Sequence, residues 1–358
     1  MKIVSLFSGA GGLDLGFHQA GFNTIWANEF DKTIWDTFEH NFPDTKLDKR
    51  SIIDVPSSEV PDSFGIVGGP PCQSWSEAGA MRGINDKRGQ LFFEYIRILK
   101  AKEPLFFLAE NVSGILLSRH KEAFQKILNE FKSLNYNVSY FLLNAKDYGV
   151  PQDRKRVIIV GYHKKMKKTF LPPCAISPIK TLKDTIYDLR LAKPAKEKNY
   201  TNGNRNLNAL NHEYMNGGFS TIYMSRNRVR SWDEPSFTIQ AGGRHAPIHP
   251  QAPKMQFVEQ NKRIFVPGKE ALYRRLSVRE CARVQTFPDD FLFKYESIAN
   301  GYKMIGNAVP VEFAKHLANV IYKDVSEYLV LNKLKRSHVK IEKRTFVGTN
   351  KENNLIRT

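Results

Sequence analysis

The first 165 residues alternate short apolar runs with amphipathic stretches, and this alternation limits the choice of fold more than any other feature. Strands that alternate with helices predict an α/β fold with a Rossmann-like, doubly wound, mostly parallel sheet. Ligands of such sheets bind at the carboxyl ends of the strands. The predicted strands are Ile3–Phe7, Thr24–Asn28, Gly65–Gly68, Leu105–Ala109, Val138–Leu143 and Val157–Tyr162, and the predicted helices between them are Gly12–Ala20, Lys32–Asn41, Gln90–Lys100 and His120–Leu134.

The composition changes at about residue 164. Residues 164–265 are rich in Asn, Lys, Pro and Gly, have weak periodicity and predict a smaller, loop-rich second domain. Helical periodicity returns at Lys269–Thr286 and at Pro310–Leu331, where proline suits the first helical position. Residues after 331 are basic, polar and without periodicity, which predicts a disordered tail. A length of 358 residues agrees with two domains of about 150 residues each and a tail.

Positive charge is concentrated in one part of the chain. The net charge is +18 in total, −2 for residues 1–150, +15 for residues 151–280, −1 for residues 281–330 and +6 for the rest. Such a basic block predicts a polyanionic partner. Nucleic acid is favoured because the block contains no long amphipathic basic helix that would suit a membrane surface. No apolar run reaches 18 residues, which argues against a membrane span.

Three cysteines, Cys72, Cys174 and Cys281, occur without metal-ligand spacing or an even framework. This pattern argues against a zinc module or a disulfide scaffold and predicts a reducing, cytoplasmic location. The segment Met1–Ser5 is interpreted as a strand and not as a signal peptide. We expect no metal, no membrane partner and a monomeric protein.

A glycine-rich turn in Phe7–Leu13 joins the first predicted strand to the first predicted helix. Gly9 and Gly11 permit a tight turn and the close approach of a ligand to a helix N-terminus, although a purely structural turn has the same composition. The GK[ST] ending of a phosphate loop is missing. Glu29, after the second strand, suits a ribose, and Asp54 suits an adenine amino group, although either acid alone is compatible with a solvated surface. Together they predict an adenosine-type cofactor.

A second candidate site begins in the segment Gly68–Ser76, where two prolines precede Cys72 at the end of a predicted buried strand. A cysteine in a loop of Pro, Gln and Ser at this edge of a sheet favours a nucleophile over a buried structural thiol. Glu110 follows an apolar run, where a partly desolvated carboxyl can donate a proton, and helix capping is the alternative. Arg154 and Arg156, at alternate positions, point to one side and suit phosphate or carboxylate, unless they form an exposed charge run.

These segments, in this order, resemble the cytosine carbon-5 DNA methyltransferases of bacterial restriction–modification systems over about residues 1–330. The basic block falls where that family keeps its variable target-recognition domain. Within it, Met224–Arg230 and His249–Pro253 are similar to the HaeIII-type branch, whose target is GGCC, and the tail after 331 is longer than that branch needs. The blocks that carry the resemblance are Phe7-x-Gly9-x-Gly11, Glu29, Asp54, Pro71-Cys72-Gln73, Glu110-Asn111-Val112, Gln152-x-Arg154-x-Arg156, Arg279–Arg283 and Gly306–Pro310.

The resemblance implies methylation of cytosine carbon-5 in double-stranded DNA, with S-adenosyl-L-methionine as methyl donor, base flipping, and protection of host DNA from a cognate restriction endonuclease that forms no stable complex. It implies that Cys72 adds to carbon-6, that Glu110 protonates nitrogen-3, and that Arg156, with Arg154, holds the base carbonyl. The stretch Gln73–Arg88 resembles the mobile loop that closes over the base. Implied cofactor contacts are Phe7, Gly9, Gly11, Leu13, Glu29, Phe30, Asp54, Val55, Pro71, Leu91, Asn307 and Ala308, and implied DNA-reading residues are Arg226, Arg228, Arg230 and Arg244.

If Asn307 and Ala308 contact the cofactor, the Pro310–Leu331 helix has to pack back onto the first domain. We therefore predict a discontinuous catalytic domain of residues 1–165 and about 300–331, a target-recognition domain of residues 166–299 that includes the Arg279–Arg283 helix, and a tail of residues 332–358. A tRNA cytosine carbon-5 methyltransferase and a catalytically silent DNA-binding regulator are the alternatives. A nicotinamide dehydrogenase would have no use for the basic block or the Cys72 loop.

Overall fold

A seven-stranded sheet lies at the centre of the computed structural model, which describes residues 1–71, 91–189, 191–205 and 207–349, with the backbone alone for 333–349. The strands are β1 Lys2–Leu6, β2 Asn23–Asn28, β3 Lys46–Asp48, β4 Gly65–Gly68, β5 Phe106–Val112, β6 Tyr136–Asn144 and β7 Lys155–His163. Their order in the sheet is β3-β2-β1-β4-β5-β7-β6. Five strands from β3 to β5 run parallel, and β7 is antiparallel to both of its neighbours. The predicted doubly wound, mostly parallel sheet is confirmed.

The strand order reverses between β1 and β4, and the crevice outside the carboxyl ends at such a point is where this class of sheet binds ligands. The predicted strand Gly65–Gly68 agrees with the structure, and the other predicted strands differ from it at their ends. The short strand β3 is missing from the prediction, because the sequence Lys46-Leu47-Asp48 offers only one apolar residue.

Helices cover both faces of the sheet, and alternate residues of each strand supply the two cores. Ile3 and Phe106 pack on one face, whereas Val4 and Phe107 pack on the other. The first face is covered by α1 and α8, and the second by α3 and α4. The helices are α1 Gly12–Gln19, α2 Trp35–Asn41, α3 Leu91–Lys102, α4 Lys121–Ser133, α5 Leu182–Ile186, α6 Val278–Val284, α7 Ile298–Asn307 and α8 Val311–Thr349.

The last helix of the chain packs directly against the first. A Cβ atom on Gly16 of α1 would collide with the side chain of Ala314 and the carbonyl of Val311, both in α8. Phe313 and Leu317 of α8 are fully buried in the same core as Phe17 of α1. Residues more than 290 positions apart therefore share one face of the sheet.

The helix α8 differs from the prediction at its C-terminal end. Its backbone remains helical to Thr349, so the irregular tail predicted from residue 332 is wrong as far as that residue. The reason lies in composition, because Lys, Leu, Arg and Glu are good helix formers and Val311–Val347 contains no Gly or Pro. Within the described residues, no helix is both long and apolar enough to cross a membrane.

Between β7 and α7 the chain is largely irregular, as the composition predicts. Its strands are the short pairs β8 Lys193–Pro194 with β9 Glu213–Tyr214, and β10 Gln256–Glu259 with β11 Lys262–Ile264. The predicted Lys269–Thr286 helix is broken, because Ser277 and Glu280 form a capping box that starts α6 afresh. A separate small core that includes Tyr223, Val229, Ile248 and Tyr273 supports this region.

Candidate cofactor and active site

The glycine-rich turn at the end of β1 has the backbone that its sequence predicts. Phe7, Gly9 and Gly11 have φ angles of 55°, 56° and 87°, in the left-handed region that glycine adopts without strain. Space remains open around the Cα of Gly9, where an added Cβ would meet nothing within 4 Å. Leu13 is buried beneath the turn as the first residues of α1 enter the core. The turn therefore presents bare backbone at the N-terminus of α1.

Glu29 lies beside this turn, at the end of β2. Its two carboxylate oxygens accept hydrogen bonds from the amides of Gly9, at 2.9 Å, and Asp31, at 2.7 Å. Burial raises the pKa of Glu29, and the two amide bonds oppose that rise. Asp31 is paired with Lys303 of α7, so a residue from the far end of the sequence helps to hold this loop. Sequence reasoning did not identify Asp31 or Lys303.

Exposed apolar side chains directly follow Glu29 and directly precede Asp54 in the sequence. The side chain of Phe30 is 70% exposed and that of Ile53 is 59% exposed, which is unusual for large apolar groups. Asp54 is exposed at the end of the 3₁₀ turn Ile52–Asp54, and the following Val55 is buried. The aromatic ring of Phe30 and the carboxylate of Asp54 are each accessible to a ligand from solvent.

The position of Asp54 depends on an arginine that sequence reasoning missed. One guanidinium nitrogen of Arg97, from α3, donates to the carbonyls of Ile52 and Val55 at 2.9 and 3.0 Å. The other terminal nitrogen donates to Ser57 at 2.7 Å. No local sequence signal marks this role, because Arg97 is about 40 residues from its partners in sequence.

The C-terminal end of α7 and the residue that follows it close the other side of the candidate cofactor site. Asn307 is exposed, whereas Ala308 is buried. A Cβ atom on Gly12 would collide with the carbonyl of Val309 and would lie 3.2 Å from the Cβ of Ala308. The predicted cofactor residues at the two ends of the chain are therefore neighbours in space. Pro71 and Leu91 are half-buried at the two edges of the undescribed segment 72–90.

An adenosine-type ligand fits the residues around this crevice. They combine open space at Gly9, the exposed ring of Phe30, and the carboxylates of Glu29 and Asp54. In addition, the Ser8 hydroxyl is buried in the turn without a hydrogen-bond partner among the described residues. A buried hydroxyl without a partner is costly, and a polar ligand can supply the missing bond.

A charged pair marks the second cluster, on β5 and β7. The Nε of Arg156 lies 2.9 Å from Oε1 of Glu110, and both side chains are nearly buried. The next residue, Asn111, donates from Nδ2 to the carbonyl of Pro70 at 3.2 Å. A Cβ on Gly69 would lie 3.4 Å from Oε2 of Glu110. The chain that leads into Cys72 therefore starts beside the Glu110–Arg156 pair. Cys72 and the predicted loop Gln73–Arg88 lie outside the described residues.

Arg154 does not join Arg156 at this cluster, and the prediction that the two form one anion site is wrong. The Arg154 side chain is buried and donates to the carbonyls of Ile239, Gly306 and Ala308 at 3.0, 3.0 and 3.1 Å. The interpretation rested on alternation along a strand, but Arg154 precedes the first residue of β7. Its partners come from segments 85 to 154 residues away, which alternation cannot reveal.

The four arginines predicted to read DNA have different environments. Arg226 and Arg244 are exposed. Arg228 donates to the carbonyl of Tyr223 at 2.9 Å and lies 4.7 Å from the centre of its ring. Arg230 donates to Glu234 at 3.0 Å and stacks on a phenyl ring. The four implied DNA-reading arginines are thus divided between two guanidiniums in solvent and two held by other protein groups.

A mostly parallel sheet with one antiparallel strand beside its edge, together with the glycine-rich turn, defines the S-adenosylmethionine-dependent methyltransferase fold. The family pattern of the C-5 cytosine-specific DNA methylases matches residues 1–323. The chain belongs to that family and is a DNA cytosine-5 methyltransferase. The resemblance read from the sequence motifs is confirmed at this level.

Several relatives are similar over nearly their whole length. The Type II methyltransferase M.MthTI of Methanothermobacter thermautotrophicus is 57% identical over 92% of this chain and 99% of its own. The Type II methyltransferase M.FnuDI of Fusobacterium nucleatum is 57% identical over 92% of this chain and 95% of its own.

Solved structures share the fold at lower identity. A DNA modification methyltransferase encoded within an Escherichia coli prophage has a TM-score of 0.68 at 23% identity, over 91% of this chain and 99% of its own. A DNMT2 variant of Spodoptera frugiperda has a TM-score of 0.65 at 19% identity, over 90% of this chain and 99% of its own. The likeness extends through the irregular region as well as the sheet.

Proposed function

We propose that this protein methylates carbon-5 of the inner cytosine of GGCC in double-stranded DNA and thereby protects host DNA from a cognate restriction endonuclease. The observation that carries the reaction is the Glu110–Arg156 pair beside the start of the Cys72 segment. The restriction–modification role is supported by the Type II methyltransferases M.MthTI and M.FnuDI, each 57% identical.

Carbon-5 of cytosine is too weak a nucleophile to take a methyl group unaided, and three side chains of this enzyme remedy that. The Cys72 sulfur adds to carbon-6, which moves an electron pair toward carbon-5. Glu110 gives a proton to ring nitrogen-3 and so neutralises the charge that the addition creates. Arg156 holds the Glu110 carboxyl, and we propose that it also donates a hydrogen bond to the base carbonyl. Once carbon-5 carries the methyl group, a base removes the carbon-5 proton, the Cys72 sulfur departs as thiolate and nitrogen-3 returns its proton to Glu110, which restores the aromatic ring.

S-adenosyl-L-methionine supplies the methyl group when it is bound in the crevice outside β1 and β4. We propose that Glu29 holds the ribose hydroxyls, that Phe30 covers one face of the adenine, and that Asp54 accepts from its amino group. The bare backbone at Gly9 and Gly11 admits the rest of the molecule at the helix N-terminus. The remaining proposed contacts are Phe7, Leu13, Val55, Pro71, Leu91, Asn307 and Ala308.

The cytosine must leave the DNA helix to reach these groups. A stacked and paired base cannot present one face to Cys72 and its edge to Glu110, so we propose that the enzyme flips the base into the site. Arg226 and Arg244 are exposed and can form paired hydrogen bonds with guanine in the major groove. A site with two adjacent guanines on each strand matches such donors, and the likeness to the HaeIII-type branch supports GGCC.

Plasmid DNA from cells that express the protein tests both the proposed reaction and the proposed target sequence. We expect the plasmid to resist an endonuclease that cuts GGCC and to remain sensitive to one that cuts GCGC. Bisulfite sequencing of the same DNA should locate 5-methylcytosine at the inner cytosine of GGCC. Full cleavage at GGCC with methylcytosine mapped elsewhere would refute the target and leave the reaction standing.

The two alternative functions give different results in a second assay. Tritium from labelled S-adenosyl-L-methionine should enter duplex DNA and not tRNA, whereas a tRNA methyltransferase gives the reverse. A duplex with 5-fluorocytosine at the target should form a covalent adduct with the protein. A catalytically silent DNA-binding regulator would bind this duplex without the adduct.

A further inference from the structure

Three long polar side chains, Gln152, Arg154 and Gln285, are buried where the irregular region meets the sheet; we call them the junction cluster. Their exposed fractions are 0%, 1% and 0%. Burying a guanidinium and two amides is costly unless each finds good partners. No step of the proposed reaction uses them, so their burial points to a role in holding other parts of the site.

Arg154 joins two segments that are remote in sequence. From one terminal nitrogen it donates to the carbonyl of Ile239, and from the other to the carbonyls of Gly306 and Ala308. Ile239 belongs to the irregular region that carries Arg230 and Arg244, whereas Gly306 and Ala308 flank a proposed cofactor contact. Because the guanidinium is planar and rigid, it fixes the distance between these two segments.

The two glutamines form a second connection between the same segments. The amide of Ile239 donates to Oε1 of Gln152 at 2.8 Å, and Nε2 of Gln152 donates to Oε1 of Gln285 at 2.7 Å. Nε2 of Gln285 then donates to the carbonyls of Ile305 and Ala308 at 2.7 and 3.0 Å. Both connections start at Ile239 and end at the last residues of α7 and at Ala308, which follows the helix.

The backbones of the two segments are also in direct contact. A Cβ on Gly306 would collide with the carbonyl group of Gln240. Because the two backbones already touch, the segment with Gln240 cannot move toward Gly306 unless Gly306 also moves. Thr238 donates to the carbonyl of Asp153 at 2.6 Å, two residues after which the chain enters β7 and reaches Arg156. The segment that contains Ile239 is therefore also bonded to the chain that leads into Arg156.

We propose that Arg154 is a positioning residue that couples cofactor binding to DNA recognition, an inference that rests on the proposed function. The 306–308 turn and the 238–241 segment are held in one relative arrangement by the junction cluster. A ligand that stabilises the turn therefore favours the arrangement that suits DNA. By thermodynamic linkage, DNA must then tighten cofactor binding by the same factor.

The test measures that factor in a thermodynamic cycle. The Kd of S-adenosylhomocysteine is measured by calorimetry with and without a short duplex that contains one GGCC site. The Kd of the duplex is then measured with and without S-adenosylhomocysteine. We expect the wild-type protein to show the same coupling in both directions, of about 5- to 150-fold. Arg154→Lys keeps the positive charge but loses the planar set of guanidinium N–H donors. In this variant the coupling factor should fall to near one.

A matched control is available in Arg279, which is also fully buried and also donates to three backbone carbonyls, those of Leu210, Pro288 and Phe291. None of these carbonyls belongs to the two coupled segments, so Arg279→Lys should keep the wild-type coupling factor. If Arg154→Lys does not fold, Gln152→Leu breaks the second connection and should lower the factor in the same way.

The possible results distinguish a failure of the proposed coupling role of Arg154 from a failure of the proposed function. A folded Arg154→Lys protein with the wild-type coupling factor would overturn the inference, as would a wild-type factor of one. An equal loss of coupling in Arg279→Lys would also overturn it, because any damage to the scaffold would then suffice. A wild-type protein that binds neither S-adenosylhomocysteine nor the duplex would instead overturn the proposed function.

Discussion

The sheet and the irregular region of residues 166–299 position their functional side chains by different means. In the sheet, strand register places Glu110 opposite Ile158 and Arg156 opposite Val112, so ladder hydrogen bonds fix the charged pair. In the irregular region, buried arginines do this work, as when Arg275 donates to the carbonyls of Gly217 and Gly218 at 2.9 and 2.8 Å. One region is organised by its backbone and the other by its side chains.

From this difference we expect that the rate of methyl transfer and the choice of DNA sequence can be altered separately. Changes at strand ends should alter the rate of methyl transfer and leave recognition intact. Changes among the exposed arginines should alter recognition and leave the reaction intact. The following four substitutions are placed to test that separation, from the largest expected effect to the smallest.

Cys72→Ser should abolish methyl transfer, because a hydroxyl is a far poorer nucleophile than a thiolate at neutral pH. Binding of S-adenosylhomocysteine and of the GGCC duplex should survive, since neither depends on the sulfur. Single-turnover transfer of a tritiated methyl group measures the reaction, and calorimetry measures the binding of S-adenosylhomocysteine and of the duplex. Appreciable turnover by the serine protein would remove Cys72 from its proposed role.

Glu110→Gln should lower kcat by about 10²- to 10⁴-fold, the usual contribution of a general acid. The amide keeps the shape of the side chain and an oxygen for Arg156, so the affinity for the GGCC duplex should hold. Steady-state kinetics at saturating DNA provide the measurement. A change in KM alone would show that Glu110 acts in binding.

Arg226→Ala should lower kcat/KM on GGCC by about 5- to 150-fold, which corresponds to about 1–3 kcal/mol for one guanine contact. Replacing one guanine at a time by 7-deazaguanine removes a single N7 acceptor, and at the guanine that Arg226 contacts this should slow the wild-type enzyme in a similar way. The variant should be insensitive to the replacement of that one guanine. If 7-deazaguanine slows both proteins by one factor, Arg226 contacts phosphate and carries no sequence information.

Asp14→Asn tests the sheet alone. Asp14 is buried and accepts from Ser5 at 3.1 Å and Thr24 at 3.0 Å, and burial raises its pKa from 3.8 to about 6. The folded state therefore holds a proton that the unfolded chain has lost, and this group's contribution to stability falls as the pH rises through that window. A shift of about two pKa units corresponds to a change of at most about 3 kcal/mol in the free energy of unfolding.

The Asp14→Asn protein should lack this pH dependence of stability. Urea unfolding at pH 4 and pH 7 should show the wild-type protein losing about 2–3 kcal/mol relative to the variant between the two pH values. Discrimination between GGCC and other sites should be the same in both proteins at pH 7. A parallel pH dependence of unfolding in the two proteins would show that Asp14 does not titrate in this range.

Periodicity and motif order predicted the sheet and the edge of it at which the segments of the candidate site lie. Strand β4 and helix α1 were predicted closely, because their apolar residues follow one clear period. Helix α7 was not predicted, since Asn300 and Gly301 interrupt its helical propensity and its burial comes from tertiary packing.

The side-chain partners of the site were beyond reach of the sequence. Arg97, Arg154 and Lys303 each contact residues between 40 and 272 positions away, and nothing local distinguishes them from surface charges. The prediction for Arg154 failed for this reason. In contrast, Glu29 was predicted as a site residue, because its position at a strand end is a local feature.

The return of α8 to α1 has a consequence for the order in which the protein is made. The ribosome synthesises the sheet first, but Phe313, Leu317 and Ile321 complete the core beneath α1 and emerge only after the irregular region. Domains fold as their residues become available during synthesis. A chain that terminates early therefore lacks the wall that supports its cofactor crevice. We therefore expect that prematurely terminated chains cannot methylate DNA at random. The irregular region, which we propose reads the DNA sequence, is always synthesised before α8 completes the catalytic domain.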